Sequence, residues 1–326
     1  MRTRLFGAYF LIESLAVTVD DVNHTRKGTP MRALIGRAGS PLPVLVDVPD
    51  PHPGPGEVVI ATTAATVNPI DVRIADGEVR EAFGLTGDVG LGWDFSGIVK
   101  AVSDDVTGVS VGQRVAALTG NPADPLRAHA ELVTVPAGSV APIPEGMSDV
   151  AAASVALNAP TAAMIVDLLG AGAGRSLLVT GAAGAVGGYV LPLAREAGWR
   201  VTGLARTTDR EFVTTTGADL VTEIEPRAYD AVADAAGLQA TAIDAVVDGG
   251  AFVGVLPIAP IAAQRGIEPT DVFVQADGVR LAELLRRGHA GDLAVRVAEE
   301  VPFSEFARAY ALVGQGGLRG RVVLTF

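Results

Sequence analysis

The segment Thr180-Gly181-Ala182-Ala183-Gly184-Ala185-Val186-Gly187 sets three glycines at three-residue intervals, directly after an apolar run and before a helical one. Gly181 permits a tight turn, Gly184 lets the backbone come close to a pyrophosphate, and Gly187 lets the helix lie against the strand. A helix starting there offers free N–H groups and a partial positive charge to phosphates. A glycine turn that only packs a helix is the competing reading, but the strand–turn–helix–strand context favours a dinucleotide. The next strand ends at Leu204-Ala205-Arg206-Thr207-Thr208, with Arg210 just beyond. An unmodified ribose usually meets an acidic residue at that point. A guanidinium and hydroxyls suit a 2′-phosphate instead, so the expected cofactor is NADPH. Its expected ligands are Gly181, Ala182, Ala183, Gly184, Ala185, Val186 and Gly187 in the turn, with Arg206, Thr207 and Arg210 at the far end. A solvated loop charge is the alternative for Arg206, and Asp209 could approach the ribose.

Alternating strands and helices must hold that turn. Ser176–Thr180 reads as a strand, Ala185–Ala197 as a helix and Arg200–Leu204 as a strand. A helix near Arg210–Thr216 and strands at Asp219–Glu223, Ile243–Asp248, Phe252–Leu256 and Asp271–Val274 continue the alternation of a doubly wound parallel sheet. Pro192 lies inside the first of these helices, where it costs about 3 kcal/mol unless a kink absorbs it. Ser148 can cap a helix over Ala151–Leu169, bent or divided at Pro160. Before Ser148 the chain reads as short strands, Arg32–Arg37, Glu57–Thr66, Gly97–Val102 and Leu132–Val135. The proline-rich run from Pro49 to Gly56 cannot be helical. A helix at Val279–Arg287 and a strand at Arg321–Phe326 close the chain.

Bulk properties narrow the function. A chain of 326 residues with 49% hydrophobic and 19% charged residues can bury a substantial core and divides into one large or two medium domains. The net charge of -12 repels phosphate backbones, so no nucleic-acid partner is expected. Without cysteine there is no disulfide, thiolate nucleophile or thiolate zinc site. His24, His52, His129 and His289 form no short-spaced ligand pair, and no metal is expected. The apolar run Leu5–Val19 contains Glu13 and is too short to span a bilayer, so no membrane partner is expected and the protein is placed in the cytoplasm. Residues 1–30 are expected to form an extension outside the fold, with a signal or anchor as the lesser alternative.

Several segments occur in an order that resembles the medium-chain dehydrogenase/reductase superfamily, in its zinc-independent quinone oxidoreductase (zeta-crystallin-like) branch. They are Asn68-Pro69-Ile70-Asp71, Gly92-Trp93-Asp94-Phe95-Ser96-Gly97, Val111-Gly112-Gln113-Arg114-Val115, Ala151-Ala152-Ala153 with Thr161-Ala162, the Gly181–Gly187 turn, Val246-Val247-Asp248-Gly249-Gly250, and Gly320-Arg321-Val322-Val323-Leu324. The resemblance implies an α/β protein: a GroES-like β-rich catalytic domain (31–155 and 277–326) and a Rossmann domain with a doubly wound parallel sheet for the cofactor (156–276). It also implies a homodimer.

By the same resemblance, Asn68 and Asp71 lie beside nicotinamide and substrate. Arg73 falls where some relatives carry lysine, Thr161 contacts the cofactor near the nicotinamide, and Gly249 belongs to the cofactor set. Asn68 could steady an oxygen gaining negative charge; its other role is to form a turn before Pro69. A solvated surface charge is the alternative for Arg73, and a helix hydroxyl bonding back to the preceding turn is the alternative for Thr161. The Gly-His-Glu segment of zinc-dependent relatives reads Gly92-Trp93-Asp94, which lacks the histidine ligand. Without a Lewis acid, the expected substrates are small molecules that delocalise charge themselves, quinones or enones. No tyrosine follows the Asn-Pro segment within Gly77–Phe83, which favours a quinone over alkene (2-alkenal or enone) reduction. A non-catalytic NADPH-binding redox sensor is the rival outside enzymes.

Overall fold

The structure, a computed structural model, describes residues 30–255 and 259–326. The expected extension lies outside these residues except for Pro30, which already belongs to the first strand. The strand expected at Phe252–Leu256 also runs past the described residues at its end.

Two sheets carry the first half. β1 (Pro30–Gly36) pairs antiparallel with β2 (Val44–Pro49) and with the short β4 (Val89–Gly90). The larger sheet takes β3 (Glu57–Val67), β5 (Asp94–Val102), β6 (Arg114–Leu118), β7 (Leu132–Pro136) and β8 (Val140–Pro142) from this half. It takes β15 (Val297–Pro302) and β16 (Arg321–Thr325) from the end of the chain. β16 runs antiparallel to β3, with Val323 opposite Thr66. The two ends of the chain thus share one sheet, as expected for the GroES-like part.

The second unit is a six-stranded, all-parallel sheet in the order β11-β10-β9-β12-β13-β14. Its strands are β9 (Ser176–Thr180), β10 (Arg200–Leu204), β11 (Asp219–Val221), β12 (Tyr229–Asp234), β13 (Val246–Gly254) and β14 (Thr270–Asp271). That is the Rossmann arrangement, in which the connection reverses direction between β9 and β12 and opens a crevice beyond their carboxyl ends. Sequence reading missed β12 and split β13 in two. Tyr229-Asp230-Ala231-Val232-Ala233-Asp234 carries two carboxylates and two alanines, a weak strand pattern by composition. Burial of Ala231, Val232 and Ala233 between β9 and β13 fixes it there.

Eight helices are described: α1 (Pro69–Asp76), α2 (Asp149–Val155), α3 (Asn158–Leu169), α4 (Gly187–Glu196), α5 (Arg210–Thr215), α6 (Ala240–Ile243), α7 (Gly278–Ala290) and α8 (Phe306–Gln315). The Ser148 hydroxyl accepts the Ala151 N–H and starts α2 as expected. The expected division of the Ala151–Leu169 helix falls at Ala156-Leu157, so Pro160 sits in the first turn of α3, where its missing N–H has no intrahelical partner to lose. The span Asp149–Leu169 is long and apolar enough to cross a membrane by length and composition, but 72% of its apolar 18-residue window is buried inside the protein. Pro192 is accommodated within α4, which runs unbroken from Gly187 to Glu196.

One core joins α2, α3, α4 and α7 to the face of β9, β10 and β12, with Leu177, Val179, Leu191 and Leu285 fully buried. Each such side chain contributes about 1.5–3 kcal/mol by leaving water. Replacing Ser148 with alanine removes the α2 cap and leaves the Ala151 N–H without its acceptor. Denaturant unfolding is expected to show a loss of about 1 kcal/mol.

Candidate active site

The phosphate-binding geometry follows from the turn after β9. Gly181 has φ +57, and a Cβ on Gly184 would stand 2.9 Å from the Gly181 carbonyl oxygen. A Cβ on Gly187 would collide with that same oxygen. No backbone acceptor among the described residues takes the N–H groups of Ala183, Ala185, Val186 or Gly187. These are the orphan donors of a helix start, and an anion such as a pyrophosphate is their natural complement. The Ala182 N–H donates to Leu204 instead, at 3.2 Å, so Ala182 holds the turn against β10 rather than offering a donor to a ligand.

Facing this turn is the loop after β12, which the sequence reading did not identify. Asp234, fully buried, accepts the Thr180 hydroxyl (2.6 Å) and the N–H groups of Leu238 (3.0 Å) and Gln239 (2.7 Å). The Thr180 oxygen in turn accepts the Ala236 N–H at 3.1 Å. Through this one carboxylate, Ala235, Ala236 and Gly237 reach the cavity wall. The sequence signal was available in Asp234-Ala235-Ala236-Gly237, a carboxylate and glycine closing an apolar run. Assigning the equivalent segment to Val246–Gly250 placed Gly249 in the cofactor set. The structure corrects this: Gly249 is exposed and precedes Ala251, which pairs with Ala231 in the first half of β12. It lies toward the amino ends of the strands, away from both cavities.

The crevice holds two cavities that meet at the glycine turn. The outer one, about 670 Å³, is bordered by Gly181, Ala183, Gly184, Arg206, Thr207 and Arg319. Buried Asp209 accepts both Nε and Nη2 of Arg319, the latter at 2.9 Å, and lies 3.6 Å from Arg206 Nε. Two guanidiniums thus share one carboxylate, and the outer cavity keeps a net positive charge. Arg206 is 62% exposed and Thr207 lies beside it. Arg210 is exposed and borders neither cavity. Arg319 had no local motif to mark it and reaches the site only because the chain end returns here.

The inner cavity, about 360 Å³, is mainly apolar, with Ile70, Phe83, Val272, Phe273 and Val274 on its walls. Asn68, Arg73 and Thr161 all border it. The Thr161 hydroxyl bonds back to the Leu157 carbonyl at 2.7 Å, which is the helix-hydroxyl reading of it. Asn68 does not present free donors. Its Nδ2 donates to Asp94 Oδ1 (2.7 Å) and Thr66 Oγ1 (3.0 Å), which uses both hydrogens. The amide left facing the cavity is Asn158, whose Nδ2 makes one long 3.4 Å bond to Asn68 Oδ1. Asp71 is fully buried and borders neither cavity. Its carboxylate accepts the N–H groups of Asn68 and Gly92, both at 2.9 Å, fixing the start of α1 against the Gly92–Trp93 turn. Arg73 sits 3.6 Å from Glu78, 38% exposed.

Two buried groups at this cavity escaped the sequence reading. Arg321 borders it, and its Nε has no hydrogen-bond partner among the described residues. Burial pulls its guanidinium down to about 10, opposed by nearby Asp94, so it stays charged at neutral pH. Burial pushes the Asp94 carboxyl up to about 6, against the Thr66 hydroxyl, Arg321 and Asn68. Trp93 borders the cavity with buried Arg127 stacked 3.8 Å from its ring centre. Among the described residues no three His, Asp or Glu side chains come together as a metal site. His129 is enclosed by Tyr310 (2.9 Å) and the Thr66 carbonyl (2.8 Å).

Residues 54–145 match the family model for the alcohol dehydrogenase GroES-like domain, and residues 205–324 that for zinc-binding dehydrogenases. The structure of a quinone oxidoreductase from Coxiella burnetii superposes with a TM-score of 0.79 at 25% identity, covering 91% of this chain and 99% of the other. A mycobacterial quinone oxidoreductase structure gives 0.72 at 26% identity, covering 91% and 100%. A mycocerosic acid synthase-like polyketide synthase of Mycobacterium tuberculosis is 35% identical over 150 residues, 46% of this chain. The match spans 7% of that synthase's length.

The buried Asp94 makes stability depend on pH. Folded Asp94 keeps its proton to about 6, while its ordinary value is 3.8. The folded protein therefore binds the extra proton between these values, and stability falls as pH rises through that window. Asp94→Asn lacks this titration. From pH 4 to pH 6.5 the stability difference should move in favour of the variant by up to about 3 kcal/mol. Urea unfolding at both pH values reads it, and a difference that stays constant contradicts the assignment.

Proposed function

Because the chain belongs to the medium-chain dehydrogenase/reductase superfamily of oxidoreductases, we propose that it uses NADPH to reduce a quinone or related conjugated carbonyl compound, with no metal in the site. The observation that carries this reading is the pair of cavities that meet at the glycine turn, one cationic and one apolar. The likeness to quinone oxidoreductase structures supports the substrate class.

The cofactor lies along the crevice in this reading. Arg206, Thr207 and Arg319 receive the 2′-phosphate in the outer cavity, where a guanidinium fork matches phosphate oxygens. The N–H groups of Ala183, Ala185, Val186 and Gly187 hold the pyrophosphate. Arg321, a buried cation without a hydrogen-bond partner at Nε, neutralises the same charge from the inner side. Thr161 and the Ala235–Gly237 loop bound the nicotinamide end. When bound, the reduced nicotinamide supplies the hydride. One quinone, one NADPH and one solvent proton give one hydroquinone and NADP+.

The protein's own part is placement and electrostatics. Trp93 stands where zinc-dependent relatives carry a histidine ligand, and it offers a flat wall to a planar acceptor. The Asn158 amide and the Arg73 guanidinium border the space in which an acceptor oxygen gains negative charge. The apolar walls keep water away and strengthen both contacts. None of Tyr189, Tyr229 and Tyr310 borders either cavity, so among the described residues no phenol is placed to protonate carbon. This favours quinone over alkene reduction.

Purified protein should oxidise NADPH with 1,4-benzoquinone at least about tenfold faster than with a simple enone. Turnover of the enone alone would move the assignment to alkene reduction. Arg206→Ala should raise the KM for NADPH about tenfold and leave that for NADH unchanged, which costs about 1.4 kcal/mol of phosphate binding. Arg321→Met should raise both equally, because the pyrophosphate is common to the two. Asn158→Ala should lower kcat about a hundredfold with the NADPH KM unchanged.

A further inference from the structure

Arg296 plays no part in the scheme above, yet it touches the centre of the crevice from outside. It precedes β15, in the sheet shared by the two chain ends. Its backbone is fixed, because the Arg321 N–H donates to its carbonyl at 2.9 Å. From that point its side chain crosses to the parallel-sheet unit. Nη2 donates to the carbonyl oxygens of Ala183 (2.8 Å) and Gly184 (3.0 Å), two consecutive peptides of the phosphate-binding turn. The guanidinium plane rests on the Phe212 ring, 3.7 Å from its centre. Phe212 belongs to α5, which follows the Arg206 loop.

A peptide whose carbonyl is held on one side presents the next N–H on the other. The Ala183 carbonyl precedes the Gly184 N–H, which donates to Gly181 within the turn at 2.7 Å. The Gly184 carbonyl precedes the Ala185 N–H, which has no backbone acceptor among the described residues. Arg296 therefore pins the outer rim of the turn by its carbonyls, while the inner rim keeps its donors for a ligand. The positive charge at the carbonyl side offsets the repulsion between those oxygens and the phosphates. A lysine can supply the charge, but it cannot both fork toward two carbonyls and lie flat on Phe212.

We propose that Arg296 is a positioning residue for cofactor binding, which orients the Ala183–Gly184–Ala185 peptides so that the turn is set for a pyrophosphate before the dinucleotide arrives. The inference rests on the dinucleotide reading of the crevice and adds a determinant outside the glycine motif. Because it acts on the pyrophosphate, its effect is the same for NADPH and NADH and absent for a ligand that occupies only the outer cavity.

Equilibrium binding to the full-length protein tests this, with NADPH, NADH and adenosine 2′-monophosphate as probes. Arg296→Met should weaken NADPH and NADH about tenfold each and leave adenosine 2′-monophosphate within twofold. kcat at saturating NADPH should stay within threefold. Arg296→Lys should fall between the two proteins, and Phe212→Leu, which removes the aromatic shelf, should weaken both dinucleotides about threefold. Dinucleotide affinity within twofold of the unaltered protein in both Arg296 variants overturns the proposal. So does a parallel loss for adenosine 2′-monophosphate, which would mark a general loosening of the cofactor unit. Failure of the unaltered protein to bind either dinucleotide would instead overturn the reading of the crevice, and this inference with it.

Discussion

The turn between β9 and α4 closes as it does because no Cβ stands at Gly184 or Gly187 to meet the Gly181 carbonyl. Close packing of backbone against backbone leaves a row of amide hydrogens without protein partners at a helix start, where an anion is the natural complement. The rest of the crevice serves that constraint. Asp234 draws the loop after β12 up to the turn through Thr180, and the parallel sheet makes the two loops neighbours at the point where the winding reverses. Side chains from the other unit then close the crevice from the far side: Arg319 and Arg321 come from the end of the chain, and Asn68 and Arg73 from the beginning.

The inner cavity is organised around an indole. Trp93, backed by the buried Arg127 guanidinium, occupies the turn held by Asp71 and Gly92. Beneath it, the Asp94 carboxyl collects the hydrogen bonds of Thr66 and Asn68 and faces Arg321. This network commits Asn68 to structure and leaves the neighbouring Asn158 to meet a ligand. Burial of a carboxyl and a guanidinium in one wall is costly in isolation. It is tolerated here because Thr66 and Asn68 donate to the Asp94 carboxyl, and because the two opposite charges lie near each other.

Local chemistry was readable in the sequence. The glycine spacing, the Arg206 loop, the strand before the turn and the Ser148 cap each follow from a few adjacent residues, and each stands where expected. Long-range placement was not. Asn68 looked like an oxyanion donor because its partner Asp94 is 26 positions away, and only the β3–β5 pairing brings them together. Arg319 and Arg296 reach the crevice from the last forty residues, with no motif to announce them. β12 was missed because its alanines and carboxylates lack strand character until they are sandwiched between two parallel neighbours. That omission moved the second cofactor loop onto the wrong segment and placed Gly249 in a site it does not approach.

The most direct test of the account is calorimetric titration of the full-length protein with NADPH and, separately, NADH. The account predicts saturable binding of one dinucleotide per chain, with NADPH the tighter by about tenfold or more, as an added phosphate contact of about 1.4 kcal/mol requires. Absence of saturable heat with both dinucleotides, from protein shown to be folded, would contradict it.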